Sequence, residues 1–422
     1  MKYKILFLSE IIGSGGGGIA SERIIDSFND YKTKVISLTN EKNLFFIVKY
    51  LIIKFYYRLV RYFITNSLKF NFNSFNPDIG VYSLKDIDRK INDFKPDIII
   101  VTWIEFLISL KTLYQLKTKY NSNIIFVAMD NHLFTGGCRY VNECNNYKNH
   151  CNNCYALKKN FRHISVKNFK FYRDYFNKLN PMFMLPSNHS INFFKSLELK
   201  FKYFEFDYWP IQFEKMHINK KDDFISQKKD KIIGKDIVKQ KKIIICPIQK
   251  FDEPRKGWNY LYYSIMDYQN QLSDNEINIH FLFIGKIEKH HKELFKNFRV
   301  SYNFYDYLNR KSLEELYSIS DFGVVPSIQE WAAISTNEMM TFGLPVINFK
   351  TGSSKNIIID GKNGFIVDLK NVYELSEKLK FINYMENSKM DDMKSFTKNF
   401  AFNNFQPTQF KEKLLQLHEN KN

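Results

Sequence analysis

Four stretches of this chain hold residues whose types and spacing suit chemistry. In IIGSGGGGIASERI, the run Gly15 to Gly18 stands before a helix expected to begin near Ile19. Glycines there let backbone N–H groups approach an oxyanion, and a helix N-terminus adds a favourable partial charge. The spacing fits neither a dinucleotide fingerprint nor a P-loop. In KIIICPIQKFDEPRKGWNYL, an apolar run leads into Lys250, Asp252, Arg255, Lys256 and Gly257. Cations at the carboxyl end of a strand can hold a diphosphate as point charges and forked donors. In PSIQEWAAISTNEMMTFGLPVI, Glu330 and Glu338 stand eight positions apart, at the start of a helix expected near Ser335. Paired carboxylates accept hydrogen bonds from hydroxyl pairs, so they suit a ribose and a hexose better than a phosphate. The fourth stretch, DNHLFTGGCRYVNECNNYKNHCNNC, carries Cys138, Cys144, Cys151 and Cys154 in the pattern C-x5-C-x6-C-x2-C. Four thiolates satisfy a closed, structural zinc site; two disulfides or free thiols are the alternatives, and the expected reducing compartment disfavours disulfides.

The elements that must position these residues follow from the hydrophobic pattern. Short apolar runs (KILFLS, KVISL, DIIIVT, NIIFVAM, MFMLPS, then KIIICPI, IHFLFIG, FGVVPS, LPVINF) alternate with segments of helical period. This is the rhythm of parallel sheets buried on both faces. It breaks once, in a polar, lysine-rich stretch. The expected division is an N-terminal Rossmann-like domain over 1–205, a linker or insertion over 206–241, a second Rossmann-like domain over 242–392, and a helical tail over 393–422. In doubly wound sheets ligands collect at the carboxyl ends of the strands.

Length and charge agree with two such domains. The chain has 422 residues, of which 44% are hydrophobic, and a formal net charge of +18. Such a balance favours an anionic partner, although the preponderance of lysine with Asn, Ile, Phe and Tyr assigns about half of the excess to overall composition. MKYKILFLSE shows no cleavable signal pattern, which points to the cytoplasm. The segment LFFIVKYLIIKFYYRLVRYFIT is too charged to span a bilayer. On a helix Lys54, Arg58 and Arg61 fall on one side, opposite much of the Ile, Phe and Leu. Such a helix either lies in an anionic leaflet surface or packs its apolar side on its own domain.

DEPRKGW, the Glu330/Glu338 pair, FGLPVINFKTGSSKNIIIDGKNGFIVD and the N-terminal glycine loop occur in the order seen in family-4 retaining glycosyltransferases, which the chain resembles over most of its length. The resemblance implies the GT-B architecture: α/β, two Rossmann-like doubly wound domains and an interdomain cleft. It implies a UDP- or GDP-linked sugar donor held mainly by the C-terminal domain, and a lipid-linked or saccharide acceptor on the N-terminal one. Lys250, where the family has an arginine, and Lys256 would neutralise the departing diphosphate, with Gly16 and Gly17 facing it and Arg255 a further donor-binding cation beside them. Glu338 would take the ribose hydroxyls and Glu330 those of the donor sugar, while Ala333, Ile334 and Ser335 would offer backbone N–H groups. No metal or other cofactor is needed for this chemistry, since lysines and helix N-termini supply the countercharge; zinc would be structural.

A narrower resemblance links the fourth stretch to a bacterial subgroup that builds surface polysaccharides, with the pattern HDMWxFTGGCHY followed by further cysteines. It makes Thr135, Gly136 and Gly137 an acceptor-side loop and the cysteines its brace. Met129 stands where the subgroup has a histidine, His132 where it has a tryptophan, and Arg139 where it has a second histidine, so Asp130 or His132 would take over the work of the missing imidazole. The expected protein is a glycosyltransferase of cell-envelope polysaccharide synthesis, peripheral at the inner face of the cell membrane. The rivals are a GT-B-like nucleotide-sugar epimerase and a zinc-knuckle nucleic-acid binder. The second is disfavoured because the aromatics lie in core-like runs and no nucleic-acid motif appears.

Overall fold

The computed structural model describes residues 3–67, 75–216 and 241–419. They form two compact units, one of Met1–Pro210 with Pro407–Asn422 and the other of Ile211–Gln406. Each is built on a six-stranded, all-parallel sheet.

In the first unit the strands are β1 (Lys4–Ser9), β2 (Lys32–Ser37), β3 (Ile98–Trp103), β4 (Asn123–Val127), β5 (Met182–Leu185) and β6 (Tyr203–Glu205), in the order β2-β1-β3-β4-β5-β6. Their Ile, Val and Phe side chains suit a pleated surface, and β3 to β5 are buried almost throughout, as strands covered on both faces must be. The helices are α1 (Gly15–Asp26), α2 (Leu44–Ile64), α3 (Leu84–Ile91), α4 (Leu110–Tyr120), α5 (His163–Leu179) and α6 (Asn188–Lys195). Local chemistry sets several of their starts: Ser83 and Ser187 close capping boxes, and the Ser109 and Asn43 side chains each accept a backbone N–H of the first turn.

The second unit repeats the plan with β7 (Lys242–Lys250), β8 (Ile279–Lys286), β9 (Ser301–Tyr305), β10 (Phe322–Val325), β11 (Val346–Phe349) and β12 (Gly364–Val367), ordered β12-β11-β10-β7-β8-β9. Its helices are α7 (Trp258–Asn270), α8 (Lys289–Leu294), α9 (Arg310–Ile319), α10 (Ile334–Thr341), α11 (Ser354–Ile357), α12 (Val372–Tyr384) and α13 (Asn387–Asn404). Its core gathers Trp258, Phe283 and Phe295, with the first and last stacked at 4.9 Å.

Most of the expected linker, 217–240, lies outside the described residues. Its beginning is no exposed tether, because Phe206, Tyr208, Trp209 and Ile211 are buried. The expected tail, 393–422, divides: α13 belongs to the second unit, while α14 (Pro407–Glu419) returns to the first. There Phe410 packs edge-on against Phe206, and His418 meets the Asn123 amide at 2.8 Å. With Phe410 and Leu414 fully buried, α14 is a core element of that unit.

Both sheets reverse their order of growth beside their first strand. In the first, β1 lies between β2 and β3; in the second, β7 lies between β8 and β10. The loops leaving β1 and β3, and those leaving β7 and β10, therefore open at topological switch points, where such sheets bind ligands.

Candidate functional site

At the switch point of the second unit, the turn Pro254–Lys256 follows β7 and the loop before α10 follows β10. Gly257 joins them closely. It adopts φ 73°, and a Cβ there would lie 1.7 Å from the Pro326 carbonyl oxygen, so only glycine fits. The Ile328 N–H also donates to the Arg255 carbonyl at 2.7 Å. This contact delivers both cations to one carboxylate: Arg255 Nη1 lies 2.8 Å and Lys256 Nζ 2.7 Å from Oε1 of Glu330. Burial pushes the Glu330 carboxyl up, but Lys256 and Arg255, with a hydrogen bond from Ser327, outweigh it and hold the group down to about 2. A small cavity beside it is lined by Glu330, Ser327, Ala333, Thr336, Asn348 and the polar loop Thr351 to Ser354.

The other expected donor residues are placed less uniformly. Helix α10 begins at Ile334 with Ala333 at its N-cap and no side-chain cap, so the first-turn N–H groups around Ala333 to Ser335 are offered at the cavity's edge. Glu338 lies in α10, buried, where it accepts from the Tyr317 hydroxyl at 3.4 Å, and the cavity lining takes Glu330 without it. Lys250 is exposed at the end of β7, beyond a register shift at Pro247/Gln249.

In the first unit the corresponding cavity is lined by Thr102 and Trp103 at the end of β3, by Glu105 just after it, and by Met129, Asp130, His132 and Arg139 after β4. Helix α1 starts at Gly15, four residues earlier than expected, because the glycine run itself forms its first turn. Gly16 is exposed; Gly17 is so near Trp103 that a Cβ would come within 2.7 Å of the indole. Asp130 and His132 are both buried, and Asp130 Oδ1 accepts the His132 backbone N–H at 2.8 Å. The His132 Nε2 and the Tyr172 hydroxyl are 2.6 Å apart.

Arg139, the residue that replaces a subgroup histidine, organises this site. Its guanidinium stacks 4.2 Å over Trp103, binds Glu105 directly and lies 3.9 Å from Asp130. Burial raises the Asp130 carboxyl, against the pull of Arg139 and His132. At Glu105 burial also acts upward, but Arg139 wins and lowers it. Glu10, directly after β1, is pushed up to about 7 by burial and by Glu105, against the Tyr50 hydroxyl that donates to it at 2.7 Å. Glu10, Trp103 and Glu105 were not singled out from the sequence, and Arg139 was noted only as a departure from the subgroup pattern, without a role. Their signal was positional: each follows the end of a predicted strand or the glycine pair.

The loop Thr135 to Gly137 is internal rather than an open lip. All three residues are buried, the Thr135 hydroxyl bridges Cys138 N–H and C=O, and a Cβ on Gly136 would lie 2.2 Å from the Ser165 carbonyl oxygen in α5. The close approach of α5 requires glycine at position 136. The four cysteines line one cavity as free thiols. Backbone N–H groups point at their sulfurs: Gly136 donates to Cys151 at 3.0 Å, and Ala156 and Leu157 donate to Cys154. The Cys138 thiol donates to Cys154 and, with those backbone N–H groups, holds the Cys154 thiol below its ordinary range. Among the described residues, three ligand atoms within 4.8 Å of one another are found instead at Asp252, His290 and His291. Metal binding by the thiols would therefore draw them together. Cys246 is a buried core residue of β7.

Comparison with known proteins bears on the second unit most directly. Residues 228–400 match the family model of glycosyl transferases group 1. An uncharacterized glycosyltransferase of Methanocaldococcus jannaschii is 33% identical over 157 residues, which are 35% of this chain and 42% of that protein. Spore coat protein SA of Bacillus subtilis is 28% identical over 151 residues, 35% of this chain and 37% of its own length. The chain thus spans about two fifths of the length of these curated relatives. The crystal structure of Anabaena HepE in complex with UDP-glucose is similar over 99% of this chain and 100% of that one, with a TM-score of 0.63 and 15% identity. The α/β fold with two parallel six-stranded sheets matches that of GT-B glycosyltransferase structures.

Proposed function

We propose that this chain is a retaining glycosyltransferase that moves a sugar from a UDP- or GDP-linked donor to a lipid-linked or saccharide acceptor in cell-envelope polysaccharide synthesis. The observation that carries this reading is Glu330 held by Arg255 and Lys256 at the switch point of the second unit, inside the segment matched by the group 1 model. The UDP-glucose complex of the similar Anabaena protein supports a nucleotide-sugar donor.

In this reading Lys256 and Arg255 move part of their charge from Glu330 to the diphosphate, while the first-turn N–H groups of α10 take phosphate oxygens. Glu330 then accepts donor-sugar hydroxyls, and Glu338 those of the ribose. The bond from the anomeric carbon to the diphosphate oxygen breaks, the acceptor oxygen bonds to that carbon on the same face, and its proton passes to the leaving phosphate. In the first unit, Asp130, His132 and Glu105 orient the acceptor hydroxyls. The four cysteines hold a structural zinc ion that braces the loop carrying Asp130. The protein works at the inner face of the cell membrane.

The test is a screen of UDP- and GDP-sugars by calorimetry, followed by acceptor-dependent release of the nucleoside diphosphate. One or a few donors should bind, with binding weakened by Lys256→Ala. If no nucleotide sugar binds the folded protein, the reading fails; turnover of a donor without any acceptor would favour an epimerase.

A further inference from the structure

Helix α2 presents its apolar side outward. Its 21 residues make a rod about 30 Å long. Ten of them are large hydrophobics between 45% and 72% exposed, among them Phe45, Leu51, Ile52, Phe55, Leu59 and Phe63. At ~100° per residue these ten fill an unbroken arc of about 140°. The inner side is the more polar one: Lys49 donates to the Val81 carbonyl at 2.5 Å, Tyr50 to Glu10, and Tyr57 to the Asn76 carbonyl. The apolar side is therefore not packed on its own unit, which is what an ordinary amphipathic helix would do. Among the described residues no helix is long and apolar enough to cross a membrane.

Charge chooses the occupant of this face. Lys54 and Arg58 are exposed along one margin of the arc, and the sequence has no acidic residue between Glu41 and Asp78. A broad aromatic and aliphatic arc rimmed by long cationic side chains fits the headgroup and acyl boundary of an anionic leaflet, with the cations reaching phosphates. We infer that α2 is a monotopic anchor, seated on an anionic lipid leaflet by the arc through Phe45, Ile52, Phe55 and Phe63. The anchor is joined to the acidic site of the same unit: Tyr50 bonds Glu10, and Tyr57 lines a cavity together with Glu105, His132 and Tyr172. A lipid-linked acceptor lying in that leaflet is thereby presented to Glu105 and His132. This last step rests on the transferase reading above; the anchoring does not.

The experiment is sedimentation of the full chain with vesicles of phosphatidylcholine alone or mixed with phosphatidylglycerol, without nucleotide, alongside an Ile52→Glu/Phe55→Glu variant. Both positions are exposed, so the variant should keep its fold, read by circular dichroism, and its donor affinity. The wild type should partition onto the anionic vesicles at least tenfold better than onto neutral ones and at least tenfold better than the variant. Wild type that stays in solution with anionic vesicles overturns the anchor, and a dimer in light scattering that the variant dissociates would assign the face to a second copy. Loss of donor binding with vesicle binding intact would strike only the transferase reading.

Discussion

The two switch points have opposite electrostatic designs. In the second unit two cations, Arg255 and Lys256, converge on one largely buried carboxylate, Glu330, and Arg255 has a more exposed second partner in Glu253 at 2.5 Å. In the first, one guanidinium, Arg139, faces three carboxylates, Glu10, Glu105 and Asp130. The same scaffold thus builds a cation-rich pocket suited to a diphosphate and an acid-rich pocket suited to hydroxyl groups. Burial raises every one of these carboxyls; the net shift is down where a cation bonds the carboxylate directly, as at Glu330 and Glu105, and up where none does, as at Asp130 and Glu10.

The strongest test of this contrast removes the central charge from each site. Glu330→Ala leaves Arg255 and Lys256 without their shared anion and removes an acceptor for sugar hydroxyls. Transfer should fall by on the order of a thousandfold or more, as when a preorganised charge is lost from an active site. A folded variant with near wild-type transfer would remove Glu330 from the chemistry. Arg139→Met should act more on stability: Glu105 and Asp130 become unpaired in a buried site, at a cost of roughly 3–5 kcal/mol. Denaturant unfolding reads it, and a cost under about 1 kcal/mol, no more than a surface ion pair is worth, would show that Arg139 does not organise the site.

These two residues also show what the sequence made legible. Glu330, Arg255 and Lys256 sit in local motifs at the ends of apolar runs, and the fold brings them together through contacts between neighbouring strands. All nine apolar runs became strands; for most of them an unbroken Ile-Val-Phe run is the signature of a strand buried on both faces, while β2, at the sheet edge, is largely exposed or half-buried. The edge strands β6 and β9 were not legible: YFE and SYNFY are partly exposed and lack such a run. Nor was the Arg139 cluster, because its members come from three distant segments, and at Arg139 the chain departs from the subgroup pattern. The starts of helices misled in one place, where the four glycines formed the first turn of α1 against their low intrinsic propensity.

Titration sharpens the comparison because Glu330 and Glu10 should couple pH to stability with opposite signs. The carboxyl of Glu330 is depressed to about 2 from an ordinary value of 4.5, so its contribution is present above pH 4.5 and is lost as pH falls towards 2. The Glu10 group is raised to about 7, so the native state binds more protons than the unfolded chain between pH 4.5 and 7, and stability falls as pH rises through that window. Each shift amounts to roughly 3 kcal/mol at full extent. Glu330→Gln should flatten the acid limb of the stability profile, and Glu10→Gln the limb between pH 4.5 and 7. If Glu10→Gln leaves the second limb unchanged, Glu10 does not titrate there.

A smaller effect is expected from the cysteine loop. Cys151→Ser with Cys154→Ser removes two sulfurs that accept backbone N–H groups and half of the zinc ligands proposed above. The melting temperature should drop and one equivalent of zinc should be lost by mass spectrometry. Wild-type protein free of metal after purification in zinc-containing buffer would leave the thiols as buried packing groups alone.

The smallest effect should come from Lys250, and its size separates position from charge. Lys250 is exposed at the end of β7, whereas Lys256 is largely buried on Glu330. An exposed cation is screened by water and salt, so its attraction for a diphosphate is worth about 1 kcal/mol or less. Lys250→Ala should therefore weaken donor binding only a few-fold at low ionic strength and hardly at all in 0.5 M salt, while Lys256→Ala weakens it strongly at both. Equal losses for the two lysines, insensitive to salt, would mean that Lys250 is drawn into the bound diphosphate; the cation-rich pocket would then be completed only when the donor arrives.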